Sequence, residues 1–145
     1  MLSTIEKALS LKNVELFHEI SGEVLAHIAT LLEEEFYEKG TYVVNQGDLG
    51  RELYIIVTGE VDVVASGKKV DVMSDGAYFG EMAIIDSQPR SADVIATTDL
   101  VVLKMAMEDF HEILTQQEHV AIGVIRVLNR RIRNLNQRLQ EFTNK

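Results

Sequence analysis

The spacing of hydrophobic positions changes twice along this chain, and each change marks a change of element. Near the start, Ile5, Leu9 and Leu11 supply part of an apolar helical face, and Ser3 followed three residues later by Glu6 fits a capping box. A second helix is predicted from Ser21, where Ile20 and Leu25 stand at the positions of a hydrophobic staple and Leu25, Ile28, Ala29 and Leu32 form a helical stripe. From about Phe36 to Met105 this spacing gives way to short β-rich runs, TYVVNQGD, ELYIIVTGEVDVVASGKKVDVM and SADVIATTDLVVLKM, broken by glycine turns. Thr58-Gly59-Glu60, Ser66-Gly67-Lys68 and Asp75-Gly76 read as hairpin tips. Helical spacing returns in MEDFHEILTQ and again from about His119 to Phe142. In that last segment Ala121, Ile125, Leu128, Ile132, Leu135, Leu139 and Phe142 alternate intervals of four and three, which is a heptad seam.

Helices, then short strands at regular spacing, then helices predict an α+β fold: an antiparallel β-barrel or jelly roll flanked by N-terminal and C-terminal helices. The expected bounds are about 3–34 for the first helices, 36–105 for the β-roll and 107–142 for the last helices, in one domain over 1–145. At 145 residues and 46% hydrophobic content, such a domain buries its core without disulfides or metal.

Composition narrows the function classes. Cysteine is absent, which removes thiol catalysis, disulfides and thiolate metal sites and points to a reducing compartment. The opening MLSTIEKALSLKNVELF has neither the basic start nor the long apolar core of a signal peptide or membrane span. The expectation is a soluble, cytoplasmic domain, with a membrane-associated parent protein still open. A formal net charge of -9 argues against general nucleic-acid binding. The charge is uneven, with Glu33, Glu34 and Glu35 in one run and Arg126, Arg130, Arg131, Arg133 and Arg138 crowding the C-terminus.

Where the strand pattern lapses, at Tyr78 to Asp86, the sequence FGEMAIIDSQPRSA places Arg90 among small, apolar and turn residues, beside the only proline of the chain. Glu81 to Ile85 can make one helical turn, whose unpaired N–H groups favour an anion, and Gly80 lets a ligand approach the backbone. Arg90 offers a planar fork of donors suited to phosphate, Ser91 a hydroxyl, and Glu81 a carboxylate suited to a sugar hydroxyl. Phosphate and ribose together describe a nucleotide.

Gly-Glu, seven residues, then Pro-Arg-Ser-Ala resembles the phosphate-binding cassette of the cyclic nucleotide-binding domain family, and the upstream LFHEIS and YVVNQGD...LYIIVTGEV segments are similar to that family as well. The resemblance implies that Gly80 and the backbone after it, through Met82 and Ala83, approach the ribose and cyclic phosphate. It further implies that Glu81 binds the ribose 2'-OH, that Arg90 pairs with the phosphate, and that Ser91 and the backbone of Ala92 add hydrogen bonds. Members of the family with threonine at the position of Ala92 or a neighbour favour cyclic GMP, so its absence here implies, by resemblance, cyclic AMP over cyclic GMP. No metal is implied.

Two other readings compete. A domain of this family that no longer binds nucleotide can persist as an assembly module. A metal-dependent cupin enzyme needs clustered histidines on strands, whereas His18, His27, His111 and His119 all fall in predicted helices. With no Walker loop or nucleophile elbow either, no catalytic centre is expected. The sequence therefore reads as a regulatory sensor, not an enzyme, and the resemblance implies that its last helix closes when ligand binds. Transcription factors of the family carry a DNA-reading motif after that helix. This chain ends just beyond it, so the expectation is one domain of a longer polypeptide such as a channel, kinase or transporter. With Arg126 and Arg133 placed at e and Arg131 and Arg138 at g of the seam, a symmetric parallel pair would face arginine against arginine, so a homodimer is expected to be marginal, and an acidic surface is the alternative partner.

Overall fold

The computed structural model describes residues 1–80 and 88–144. Helix α1 spans Thr4–Lys12, capped by Ser3, whose hydroxyl accepts from the Glu6 N–H while the Glu6 carboxylate accepts from the Ser3 N–H. A single 3₁₀ turn, Glu15–Phe17, follows. Helix α2, Gly22–Ala29, starts at the Ser21 cap, with Ile20 and Leu25 both buried around it. Among the described residues eight strands come next: β1 Glu33–Tyr37, β2 Tyr42–Val44, β3 Glu52–Thr58, β4 Val61–Ala65, β5 Lys68–Met73, β6 Tyr78–Phe79, β7 Asp93–Ala96 and β8 Leu100–Ala106. Helices α3, Met107–Gln116, and α4, Glu118–Thr143, follow.

The strands form two four-stranded antiparallel sheets, ordered β1-β8-β3-β6 and β2-β7-β4-β5, the alternation of a jelly roll. The fold class expected from sequence is the observed one, helices at both ends included.

Several local expectations change. Of the three proposed hairpin tips only one joins paired strands: Ser66 and Gly67, both at positive φ, connect β4 to β5 with Ala65 opposite Lys68. Gly59 and Gly76 instead lie on links that carry the chain from one sheet to the other. Gly59 packs so tightly that a Cβ there would come within 2.6 Å of the Asp99 carbonyl oxygen. The β region also begins earlier than Phe36: helix α2 ends at Ala29, and the acidic run Glu33–Glu35 is strand, pairing with Leu103, Lys104 and Val102 of β8. Tyr78 and Phe79, read from sequence as a lapse in the strand pattern, pair with β3 as β6.

Alternating residues of β3 and β8 serve two cores. Leu53, Ile55, Leu103 and Met105 face the helices and join Phe17, Ile28 and Phe110. Tyr54, Ile56, Leu100 and Val102 face the roll interior with Val61, Phe79 and Val94.

The last helix rests on the domain through Val120 and Val124, both buried. Gly123 permits close approach there, since a Cβ on it would already touch Leu16. Arg130 pairs with Glu15, and His119 Nδ1 lies 3.1 Å from the Glu19 carboxylate. The packed face only borders the heptad seam: Leu128 of the seam joins Val127 in partial packing on the helix-side core, whereas Ile125, Ile132, Leu135, Leu139 and Phe142 stay exposed. No helix among the described residues is long and apolar enough to cross a membrane.

Candidate functional site

The loop from Asn45 to Gly50 lies against the segment Pro89-Arg90 and fixes its backbone. Arg90 N–H donates to the Asp48 carbonyl at 2.7 Å, Gly47 N–H donates to the Arg90 carbonyl at 2.8 Å, and Leu49 and Pro89 form a β-bridge. Arg90 is thereby positioned by residues forty positions upstream, and its side chain is only 7% exposed.

The guanidinium donates from Nη1 to the Gly80 carbonyl at 3.2 Å and from Nη2 to the Glu52 carbonyl at 2.8 Å. Its Cζ lies 5.7 Å from the centre of the Tyr54 ring, within range of a cation–π contact. Tyr54 in turn stacks on Phe79, with centroids 4.9 Å apart and planes 7° from parallel. Burial and the nearby Glu52 carboxylate push the Tyr54 phenol up, so the ring stays neutral beneath the cation.

Glu52 connects this seat to the sheet. While its carbonyl holds Arg90, its side chain reaches Lys104 at 3.1 Å, and Lys104 also pairs with Glu35 at 2.7 Å. Glu35 further accepts a hydrogen bond from the Tyr37 hydroxyl. Lys104, and then Tyr37, hold the Glu35 carboxyl below its usual range. Burial works against the Lys104 ammonium, but its bonds to Glu35 and Glu52 outweigh that cost and raise its pKa. Burial, reinforced by the Glu35 bond, raises the Tyr37 phenol.

Gly80, Arg90, Ser91 and Ala92 line one cavity of about 350 Å³. This is the lower end of the size range of small-molecule sites, roughly 300–1,000 Å³. Its far wall is mostly apolar, built from Val63, Val70, Met73 and Val94 on the second sheet with Asp71 among them, and Arg131 of α4 reaches it. The cavity therefore combines a buried cation beside a hydroxyl with a mostly apolar stretch of the second sheet. A small amphipathic anion fits that pattern chemically.

Of the seven residues singled out from sequence, four thus meet at one cavity. Glu81, Met82 and Ala83 lie outside the described residues. Sequence reasoning missed Gly50, Tyr54 and Glu52, which seat the guanidinium, and took Arg131 only as a flank of the seam. The recurrence of Arg131 with Val120, Val124 and Val127 at helical spacing is the signal that places it on the inward face.

Comparison with known proteins shows the family of the chain. A cAMP-dependent protein kinase regulatory subunit of Eremothecium gossypii is 39% identical over 105 residues, covering 72% of this chain and 23% of that protein. A cGMP-dependent protein kinase, isozyme 1, of Drosophila melanogaster is 39% identical over 103 residues, 66% of this chain and 13% of the relative. The chain thus spans a quarter or less of these two relatives. Among solved structures, the catabolite activator protein of Thermus thermophilus superposes with a TM-score of 0.81 at 28% identity, covering 89% of this chain and 63% of that one. Residues 34–117, more than half of the chain, match the family model of the cyclic nucleotide-binding domain, and the chain belongs to that family.

Proposed function

We propose that this domain binds a cyclic nucleotide, cyclic AMP in preference to cyclic GMP, and passes the binding event to its last helix. The observation that carries the reading is the convergence of Gly80, Arg90, Ser91 and Ala92 on one cavity with a mostly apolar far wall. In this assignment Arg90 pairs with the cyclic phosphate, Ser91 and the Ala92 backbone donate to it, and Glu81 takes the ribose 2'-OH. Met82 and Ala83 continue the backbone that approaches the sugar. The base lies along Val63 and Val70. The lean to cyclic AMP rests on the absence of threonine at Ala92 and its neighbours.

Arg131 supports the coupling, because a cavity wall contributed by α4 gives the ligand a direct contact with that helix. A ligand that binds better with the helix closed shifts the population toward closure. The domain acts as a regulatory module of a larger protein and not as an enzyme. Thermal melts with cyclic AMP or cyclic GMP test the binding claim, and a melting temperature unmoved by either contradicts it. Hydrogen exchange tests the coupling, with protection expected to rise at the amides around Arg131 when nucleotide is bound.

The seam, exposed at Ile125, Ile132, Leu135, Leu139 and Phe142, supports a second role for the same helix. With Ile125 and Ile132 at a and Leu128 and Leu135 at d, the core pattern suits a parallel pair with a second copy of the chain. Register also revises the arginine repulsion expected from sequence. Arg126 and Arg133 fall at b, away from the seam, and Arg131 and Arg138 at g would meet Asn136 and Thr143 at e of the partner copy. Sedimentation should show a concentration-dependent dimer that Leu135→Glu abolishes, and a monomer at all concentrations contradicts this role.

A further inference from the structure

We infer that Gly50 is a positioning residue whose missing side chain seats Arg90, an inference whose binding consequence rests on the function proposed above. A Cβ built on Gly50 would overlap Cζ and Nε of Arg90 and come within 2.7 Å of Nη2. Gly50 is not among the residues with positive φ, so its backbone does not demand glycine. Space alone does. Gly47, three residues earlier, is the converse: its φ of 91° demands glycine, yet nothing lies within 4 Å of its Cβ position.

The guanidinium is enclosed by more than Gly50. Gly80 is the second wall, where a Cβ would overlap Nη1 and come within 2.8 Å of the Glu52 carbonyl oxygen. Tyr54 closes a third side, and the Gly80 and Glu52 carbonyls fix the rotation of the fork. Gly50 also lines a second, polar cavity of about 240 Å³ that shares Val44 and Arg90 with the first. Arg90 is thus the one charged residue common to both cavities, and Gly50 decides how deep it sits.

The two glycines differ in what a substitution does. At Gly80 a side chain meets backbone and adopts a strained φ of 96°, so the fold itself is disturbed. At Gly50 the three nearest atoms all belong to the flexible end of Arg90, which can move while the backbone stays. Gly50→Ala therefore displaces the guanidinium selectively. A phosphate then meets a fork that is no longer prearranged, and loses charge-assisted hydrogen bonds that stay intact in the parent chain.

The test has two arms on one set of proteins: the parent chain, Gly50→Ala, Arg90→Ala and the double variant, with Gly22→Ala as a glycine control at an open position. In side-chain ¹⁵N NMR without ligand, the Arg90 Nε–H resonance should sit away from those of solvent-exposed arginines and move toward them in Gly50→Ala. In calorimetry with cyclic AMP, Gly50→Ala should weaken binding by roughly ten- to hundredfold, the loss expected when a hydrogen bond to a charged group is misplaced. The double variant should bind no worse than Arg90→Ala, and any loss of melting temperature in Gly50→Ala should vanish once Arg90 is gone. An unmoved Arg90 resonance, or parent-like binding by Gly50→Ala while Arg90→Ala fails, overturns the inference. If the parent chain binds no nucleotide, the proposed function fails, and the NMR arm still decides whether Gly50 seats the arginine.

Discussion

The sheet β1-β8-β3-β6 is covered on both faces, by helices on one side and the roll interior on the other, whereas β2-β7-β4-β5 is covered on one face and loses even that cover toward its edge. In β3 and β8 consecutive residues are buried in opposite directions, so Leu53 and Tyr54, or Leu103 and Val102, stabilise different cores. Along β5, five of six residues are exposed, and Val70 is 54% exposed although it lines the cavity. A doubly buried sheet holds the fold, and a sheet left open at its edge leaves apolar surface for a ligand to cover. Stability and binding are in this way assigned to opposite sheets, and Arg90, tethered to β3 through Glu52 and facing the open sheet, joins them.

If that division holds, the largest effect on stability belongs to the helix-covered side. Phe110→Ala, at a side chain with no exposure, should destabilise by about 3–5 kcal/mol in denaturant melts. Next comes Arg90→Ala, which should weaken cyclic-nucleotide binding by about 2–5 kcal/mol, roughly thirtyfold to several thousandfold, with a smaller effect on stability than Phe110→Ala.

The Lys104 cluster sharpens the comparison, because it ties the closed sheet to the arginine seat. Lys104→Met should cost about 1–3 kcal/mol, the range for a hydrogen-bonded pair that is only partly buried. It also changes the acid limb. The folded Glu35 carboxyl lies below its ordinary value of 4.5, so its stabilisation is present above that pH and is lost as the pH falls through the folded value. Lys104→Met removes the main cause of that depression and should flatten stability against pH in this window. Tyr37 behaves in the opposite sense: its pKa is raised above 10.0, so its contribution is present below that pH and lost above it. Tyr37→Phe should flatten the alkaline limb.

The smallest effect is expected at the open edge. Val70→Ala should leave stability within about 0.5 kcal/mol and weaken binding by no more than about fivefold, as suits a partly exposed methyl pair. A destabilisation by Val70→Ala as large as that of Phe110→Ala would break the division between the sheets.

Local chemistry was legible in the sequence, and long-range choice was not. Ser3 with Glu6, and Ser21 with Ile20 and Leu25, announce helix starts because a cap and its partner lie within one turn. Gly80 and Arg90 to Ala92 were legible through residue type and spacing together. Gly59 and Gly76 carry the same turn signal as Gly67, but whether a turn closes a hairpin or crosses between sheets depends on which strands share a core. Glu33 and Glu34 fell within the helical bounds expected from sequence, about 3–34, and pairing with β8, with Lys104 receiving Glu35, makes them strand although glutamate is a poor strand former. Gly50 is the clearest limit, since its reason for being glycine is a guanidinium forty residues away.

The central claim is that Arg90 serves a cyclic nucleotide held between the two sheets. Isothermal titration of cyclic AMP and cyclic GMP into the chain, stripped of carried-over nucleotide by refolding, with Arg90→Ala in parallel, tests it most directly. Micromolar or tighter binding, stronger for cyclic AMP and lost in Arg90→Ala, is the predicted result. Absence of heat with both nucleotides, or binding that Arg90→Ala leaves intact, would contradict it.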